Sequence, residues 1–158
     1  MTCRIRKMIP GDLPRVMEVL ERWSMAPTPA LANAERSSIE IENAFVAEDQ
    51  DGRLVGVGSY LLHGGELAET ASLAVSPEVR GAGVGARLQI ARLEEMLARG
   101  VRRVRTEADR PETIAWYQRK FGYRIVGSNP KKHTFSLPDV DTWTVLELDL
   151  ENWGRSRK

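Results

Sequence analysis

The chain has 158 residues, 42% of them hydrophobic and 28% charged, which supplies one compact domain with a core and is too short for two. With 23 basic and 22 acidic residues the net charge is +1, so the basic excess of a nucleic-acid binder is absent. The single cysteine, Cys3, excludes an intrachain disulfide and a four-cysteine zinc site, and two histidines (His63, His133) leave too little for a histidine-rich metal centre.

Residues 2–8, with Ile5 and Met8 among basic neighbours, predict a first strand that Pro10 and Gly11 end. Asp12 is placed to cap a helix carrying Leu13, Val16, Met17, Val19 and Leu20 at helical spacing, fading after Trp23. Pro27 and Pro29 mark a loop, and the weakly amphipathic stretch 31–43 predicts a second, shorter helix. Residues 45–47, the Asp51-Gly52 turn and residues 54–62 read as a β-hairpin, followed by a turn at Gly64-Gly65 and a strand over 66–75.

After Pro77 and a glycine-rich loop, Leu88, Ile90, Ala91, Leu93, Met96 and Leu97 define a helix that Gly100 ends. Residues 101–107 predict a strand, Pro111 opens a helix carrying Ile114 to Tyr117, and Gly122 stops it. Two strands, 123–126 and 142–150, close the fold around a polar loop, with residues 151–158 read as a frayed tail beyond an ordered core of about 2–150. The order predicts one α+β domain over 1–158: a mixed, mostly antiparallel sheet with a central parallel pair and helices on both faces. No residue run approaches the length of a membrane span, and residues 1–13 lack an apolar leader segment. The expectation is a soluble, cytoplasmic protein with neither a nucleic-acid nor a membrane partner.

The most informative stretch is Val75-Ser76-Pro77-Glu78-Val79-Arg80-Gly81-Ala82-Gly83-Val84-Gly85-Ala86, which follows a predicted strand and opens a predicted helix. Alternating glycines let backbone approach a ligand closely, and a helix N-terminus offers unpaired N–H groups to an anion such as pyrophosphate. A bare glycine-rich turn is the plain alternative. No P-loop pattern is present. Gly81, Gly83 and Ala86 satisfy the dinucleotide fingerprint G-x-G-x-x-A, with Glu107 as its ribose-binding acid. Against that reading, residues 76–80 separate the strand from the first glycine, and only one β-α-β unit exists.

Here the sequence resembles the GNAT superfamily of acyl-CoA N-acyltransferases. Its R/Q-x-x-G-x-G/A signature is matched by Arg80 through Gly85, and its tyrosine helix by Ala115-Trp116-Tyr117 through Phe121-Gly122-Tyr123. The resemblance implies acetyl-CoA as co-substrate with no metal. Backbone of Leu73, Ala74 and Val75 would meet the acetyl end and pantetheine arm, and Arg80, Gly81, Ala82, Gly83, Val84, Gly85 and Ala86 would cradle the pyrophosphate. It also implies an amine acceptor, small molecule or protein, and a homodimer whose interface no residue marks. The asparagine frequent early in the family's tyrosine helix is replaced here by Arg110 or Pro111.

Acetyl transfer from a thioester to an amine needs a base, since such an amine titrates near ~10.4, together with an oxyanion donor and a proton for the thiolate. Glu69, four residues before Leu73 on the same strand and so expected on the same face, is the candidate base; a solvated strand glutamate is the plain alternative. Glu66 is a second choice. The resemblance implies the Leu73 N–H as oxyanion donor and Tyr117 as general acid, with a packed aromatic as the alternative for Tyr117. Cys3, His63 and His133 are read as packing or surface residues, and Arg99, Arg102, Arg103 and Arg105 as a solvated face. Trp23, Met25 and the 24–31 loop either line an acceptor groove or anchor the core. An acyl-CoA-binding module without catalysis, and a nicotinamide-dinucleotide protein, remain as other classes.

Overall fold

The computed structural model describes residues 3–22, 39–79, 81–131 and 137–157. Arg80, His133, Trp23, Met25 and the 24–31 loop therefore lie outside the described residues, as does most of the expected 31–43 helix; of that stretch, Ile41–Asn43 forms a 3₁₀ turn.

Seven strands form one sheet: Arg4–Lys7 (β1), Ala44–Glu48 (β2), Leu54–Leu62 (β3), Leu67–Val75 (β4), Arg103–Ala108 (β5), Arg124–Pro130 (β6) and Thr142–Asp149 (β7). Their order is β1-β2-β3-β4-β5-β7-β6, antiparallel everywhere except between β4 and β5. The fold class is the α+β arrangement expected from the element order.

Leu13–Glu21 (α1) covers one face. Its Val16, Val19 and Leu20 pack with Val46, Val57 and Ala74. Val84–Ala98 (α2) covers the other, where Leu88 packs with Ala47, Val55, Leu73 and Val75. Strand alternation explains the division, since neighbouring residues of β2 and β4 turn to opposite faces. Pro111–Phe121 (α3) joins the α2 side through Tyr117 and Phe121, beginning at Pro111 and ending at Gly122 (φ +81°) as the sequence predicts.

Asp12 does not cap α1 through its side chain. Its buried carboxylate turns back to accept from the Ile9 N–H at 2.9 Å and from two Arg6 guanidinium nitrogens at 2.9 and 3.0 Å. The Arg6 hydrogen bond holds the Asp12 carboxyl below the usual carboxylate range. With the folded-state pKa lowered, the stabilisation is complete above the unfolded value of about 3.9 and fades as pH falls through the folded value. Asp12→Asn is expected to cost about 2 kcal/mol near neutrality, below the range for a fully buried pair because Arg6 keeps partial exposure. Urea midpoints should show the gap between the two proteins narrowing below about pH 4.

The expected frayed tail is instead a helix, Leu150–Ser156 (α4), and β7 stops one residue earlier than predicted. Asp149 caps it by accepting from the Asn152 N–H at 3.0 Å, while Leu150 and Trp153 bury against the α2 side. Burying those two side chains contributes about 1.5–3 kcal/mol each, enough to order a segment of weak intrinsic helix propensity.

β4 carries the irregularity that shapes the site. Val57 faces Ala74 and Ser59 faces Ala71, so Gly58 alone opposes both Ser72 and Leu73. Ser72 absorbs the extra residue with φ +52°. The parallel pairing of β4 with β5 spans only Leu67 to Glu69 against Arg103 to Arg105. Beyond it the strands part, although both continue.

Candidate active site

The parted edges of β4 and β5 are one wall of the site. The Ser76 N–H bonds the Val55 carbonyl, so peptide groups alternate between β3 and the opposite edge. The backbone of Leu73 is thereby turned toward the gap left by β5. Thr70 and Ser72 add two buried hydroxyl oxygens on the same stretch with no partner among the described residues. Sequence reading assigns neither, because a strand serine or threonine carries no local signal of such burial.

Following β4, Gly81 (φ +86°) and Gly83 (φ +79°) take left-handed conformations in the loop, and Gly83 immediately precedes α2. No side chain caps α2, so its opening amides, from Val84 through Ala86, lack intrahelical acceptors and are open to an anion. Gly85, inside the first turn, sits 3.6 Å in Cβ terms from Val75 and 4.0 Å from Trp116. The loop, β4 and α3 thus converge at one point.

The bulge corrects one expectation. Glu69 and Leu73 do not share a face. Tyr60, in the α2-side core, stands opposite Thr70, so Glu69, one residue earlier and opposite Leu61, turns to the α1 side. Leu73 lies on the α2 side, near where a Cβ on Gly58 would also meet Leu88 and Arg92. The extra residue at Ser72 inverts the parity.

Glu69 accepts or shares a hydrogen bond with His63 Nε2 at 3.1 Å; both side chains are partly exposed. His63, read from the sequence as a surface residue, is therefore the companion of the candidate base, a pairing hidden across the β3–β4 turn. Glu66 lies elsewhere, lining an open cavity of about 550 Å³ with Arg102 and Arg155 at the other end of the parallel pair. Arg102 also pairs with Glu151 and Arg105 with Glu147, and Arg99 bonds Asn43 and Tyr60. Cys3 is a buried packing residue whose carbonyl accepts from Arg87.

Tyr117 is buried among Trp116 and Tyr123, with ring centroids 5.0 and 4.9 Å away. Its hydroxyl oxygen accepts from Arg92 Nη2 at 3.1 Å. Burial raises the pKa of the neighbouring Tyr123, with the nearby Tyr117 adding to the rise, so that Tyr123 stays a neutral phenol. Among the described residues no group of three or more His, Cys, Asp or Glu is placed to hold a metal ion, and no helix is long and apolar enough to cross a membrane.

A profile of the acetyltransferase (GNAT) family matches residues 13–123, from the start of α1 to just past α3. The chain belongs to the GNAT acetyltransferase family. Among curated proteins it is 32% identical to a mycothiol acetyltransferase of Saccharomonospora viridis, over 78% of this chain and 46% of that protein. The chain thus spans about half the length of that relative. Among solved structures it resembles the ribosomal-protein-S18-alanine N-acetyltransferase of Escherichia coli, with a TM-score of 0.73, 19% identity and 94% of each chain covered. The N-acetylglutamate synthase of Neisseria gonorrhoeae, solved with coenzyme A and N-acetyl-glutamate, gives a TM-score of 0.68 at 20% identity over 95% of this chain and 35% of that one. At those identities the two structures establish the shared fold of this family member.

Proposed function

We propose that this chain transfers an acetyl group from acetyl-CoA directly to a primary amine. The observation that carries the reading is the parting of β4 from β5 beside a glycine loop that ends in an uncapped helix. A pantetheine arm can pair with the freed edge near Leu73 to Val75, and its pyrophosphate can rest on residues 80–86 at the start of α2. The coenzyme A bound by the gonococcal synthase of similar fold supports that donor.

The amine approaches from the α1 side, where Glu69 takes its proton with His63 as hydrogen-bond partner. The Leu73 N–H steadies the oxyanion, and Tyr117 supplies the thiolate proton from the α2 side. Base and acid thus act from opposite faces of the parted sheet, which separates the entering amine from the leaving sulfur. Direct transfer is favoured over an acetyl-enzyme because no activated nucleophile lies in the described site.

Two measurements test this function. Acetyl-CoA should raise the melting temperature while NAD leaves it unchanged. Thiol release should then depend on an amine from a panel holding a peptide N-terminus, a lysine side chain, a polyamine, an amino acid, an antibiotic amine and the acceptor of the mycothiol enzyme. Stabilisation by acetyl-CoA with no amine-dependent thiol release would leave an acyl-CoA-binding module instead.

Tyr117→Phe is expected to lower turnover about 10–100-fold, at or below the usual range for acid catalysis because a thiol of pKa near ~8.5 departs fairly well unaided. It should also destabilise the fold by about 1–2 kcal/mol, since the Arg92 donor loses its acceptor. Turnover and urea unfolding of the variant check both; full activity would reduce Tyr117 to a packing residue.

A further inference from the structure

Arg92 lies in the middle of α2 and is fully buried, yet among the described residues no carboxylate pairs with it. All three guanidinium nitrogens instead donate to neutral oxygens. Nε donates to Gln89 Oε1 at 2.7 Å, Nη1 to the carbonyls of Ser59 and Ala71 at 2.9 and 3.1 Å, and Nη2 to the Tyr117 hydroxyl at 3.1 Å. Gln89 in turn donates to the Tyr123 hydroxyl at 2.9 Å. On the same helix Leu88, Leu93 and Met96 are apolar and fully buried, so Arg92 carries a full charge into a largely apolar layer. A buried guanidinium without a counter-charge is costly to desolvate, so stability alone is a weak account of its presence.

We infer that Arg92 is a positioning residue for acyl transfer, fixing the Tyr117 hydroxyl against the bulged strand so that its hydrogen points to the leaving sulfur. This inference rests on the acid role proposed for Tyr117. A guanidinium only donates, so the phenolic oxygen is the acceptor in this contact and its own hydrogen is directed elsewhere. The same guanidinium grips the Ala71 carbonyl, two residues before Leu73. One rigid fork therefore sets the spacing between the acid and the Leu73 N–H.

The proton inventory closes. The amine N–H proton passes to Glu69, the new C–N bond forms, the C–S bond breaks, and the Tyr117 O–H proton goes to the thiolate sulfur. The phenolate left beside the Arg92 cation is reprotonated from solvent while Glu69 releases its proton there. Arg92 thus favours the step twice, by direction and by charge.

The test is a double-mutant cycle in the intact chain, using the panel amine with the fastest thiol release. Arg92→Met is expected to lower kcat about 10-fold with the acetyl-CoA KM within about two-fold, and to cost less than about two-fold further in Tyr117→Phe. The loss should shrink when 4-nitrophenyl thioacetate, whose thiol is more acidic, replaces acetyl-CoA; a merely structural defect would not follow the leaving group. Where Arg92→Met does not fold, Arg92→Lys, which keeps a cation and one donor, is compared in the same cycle, with a smaller loss of the same donor dependence. An unchanged kcat, or losses that multiply fully in Tyr117→Phe, would overturn the role of Arg92 while leaving the acid role of Tyr117 intact. Full activity of Tyr117→Phe alone would instead remove the acid reading, and the assignment of Arg92 with it.

Discussion

Gly83→Glu is expected to abolish measurable acetyl-CoA binding. At φ +79° the position is strained for any side chain, and a carboxylate there would stand at the opening of α2, where the pyrophosphate is proposed to lie. Strain of about 1–2 kcal/mol alone could weaken binding indirectly, so a companion variant is informative. Gly85→Ala keeps a helical backbone, meets only ordinary contacts with Val75 and Trp116, and gains up to about 1 kcal/mol of helix propensity. It should leave the free protein as stable or more so while weakening acetyl-CoA. Calorimetry and thermal unfolding on both variants decide the matter: unchanged affinity in Gly83→Glu would reject this loop as the phosphate site.

Glu69→Gln carries the second large effect, a loss of roughly 10²–10⁴-fold in turnover with acetyl-CoA affinity unchanged. Its dependence on pH has a fixed sign. As pH rises toward the amine's own pKa near ~10.4, more acceptor arrives already neutral and the loss should shrink. His63→Ala should show a smaller loss if His63 only orients the carboxylate through their 3.1 Å contact. Equal rates for Glu69→Gln and the parent at pH 7 would mean that another group or water takes the proton.

What the sequence made legible was local. The alternating glycines marked a loop before a helix, Pro111 opened a helix, Gly122 closed one, and each such residue acts within a few positions of itself. What escaped was non-local or depended on a single torsion. No residue type announced that Ser72 would take φ +52°, and that one angle moved Glu69 to the face opposite Leu73. Arg92 carried no local signal, because its partners come from residues 59, 71, 89 and 117. The last helix was missed because its cap, Asp149, sits at the end of a strand, and its anchor, Trp153, is flanked by the polar residues of a typical chain end.

The bulge at Ser72 also bears on how such a protein can change its work. Of the groups proposed to serve the donor, Leu73, the opening of α2 and Tyr117 with Arg92 behind it lie on the α2 side of the sheet. Those that would meet the acceptor, Glu69 and His63, occupy the other, together with α1. On that proposal, substitutions on the α1 side would retune the incoming amine while leaving the donor side in place, since the two half-sites share only a short length of backbone. Diversification of substrate on a constant donor is then a matter of resurfacing one layer of the molecule.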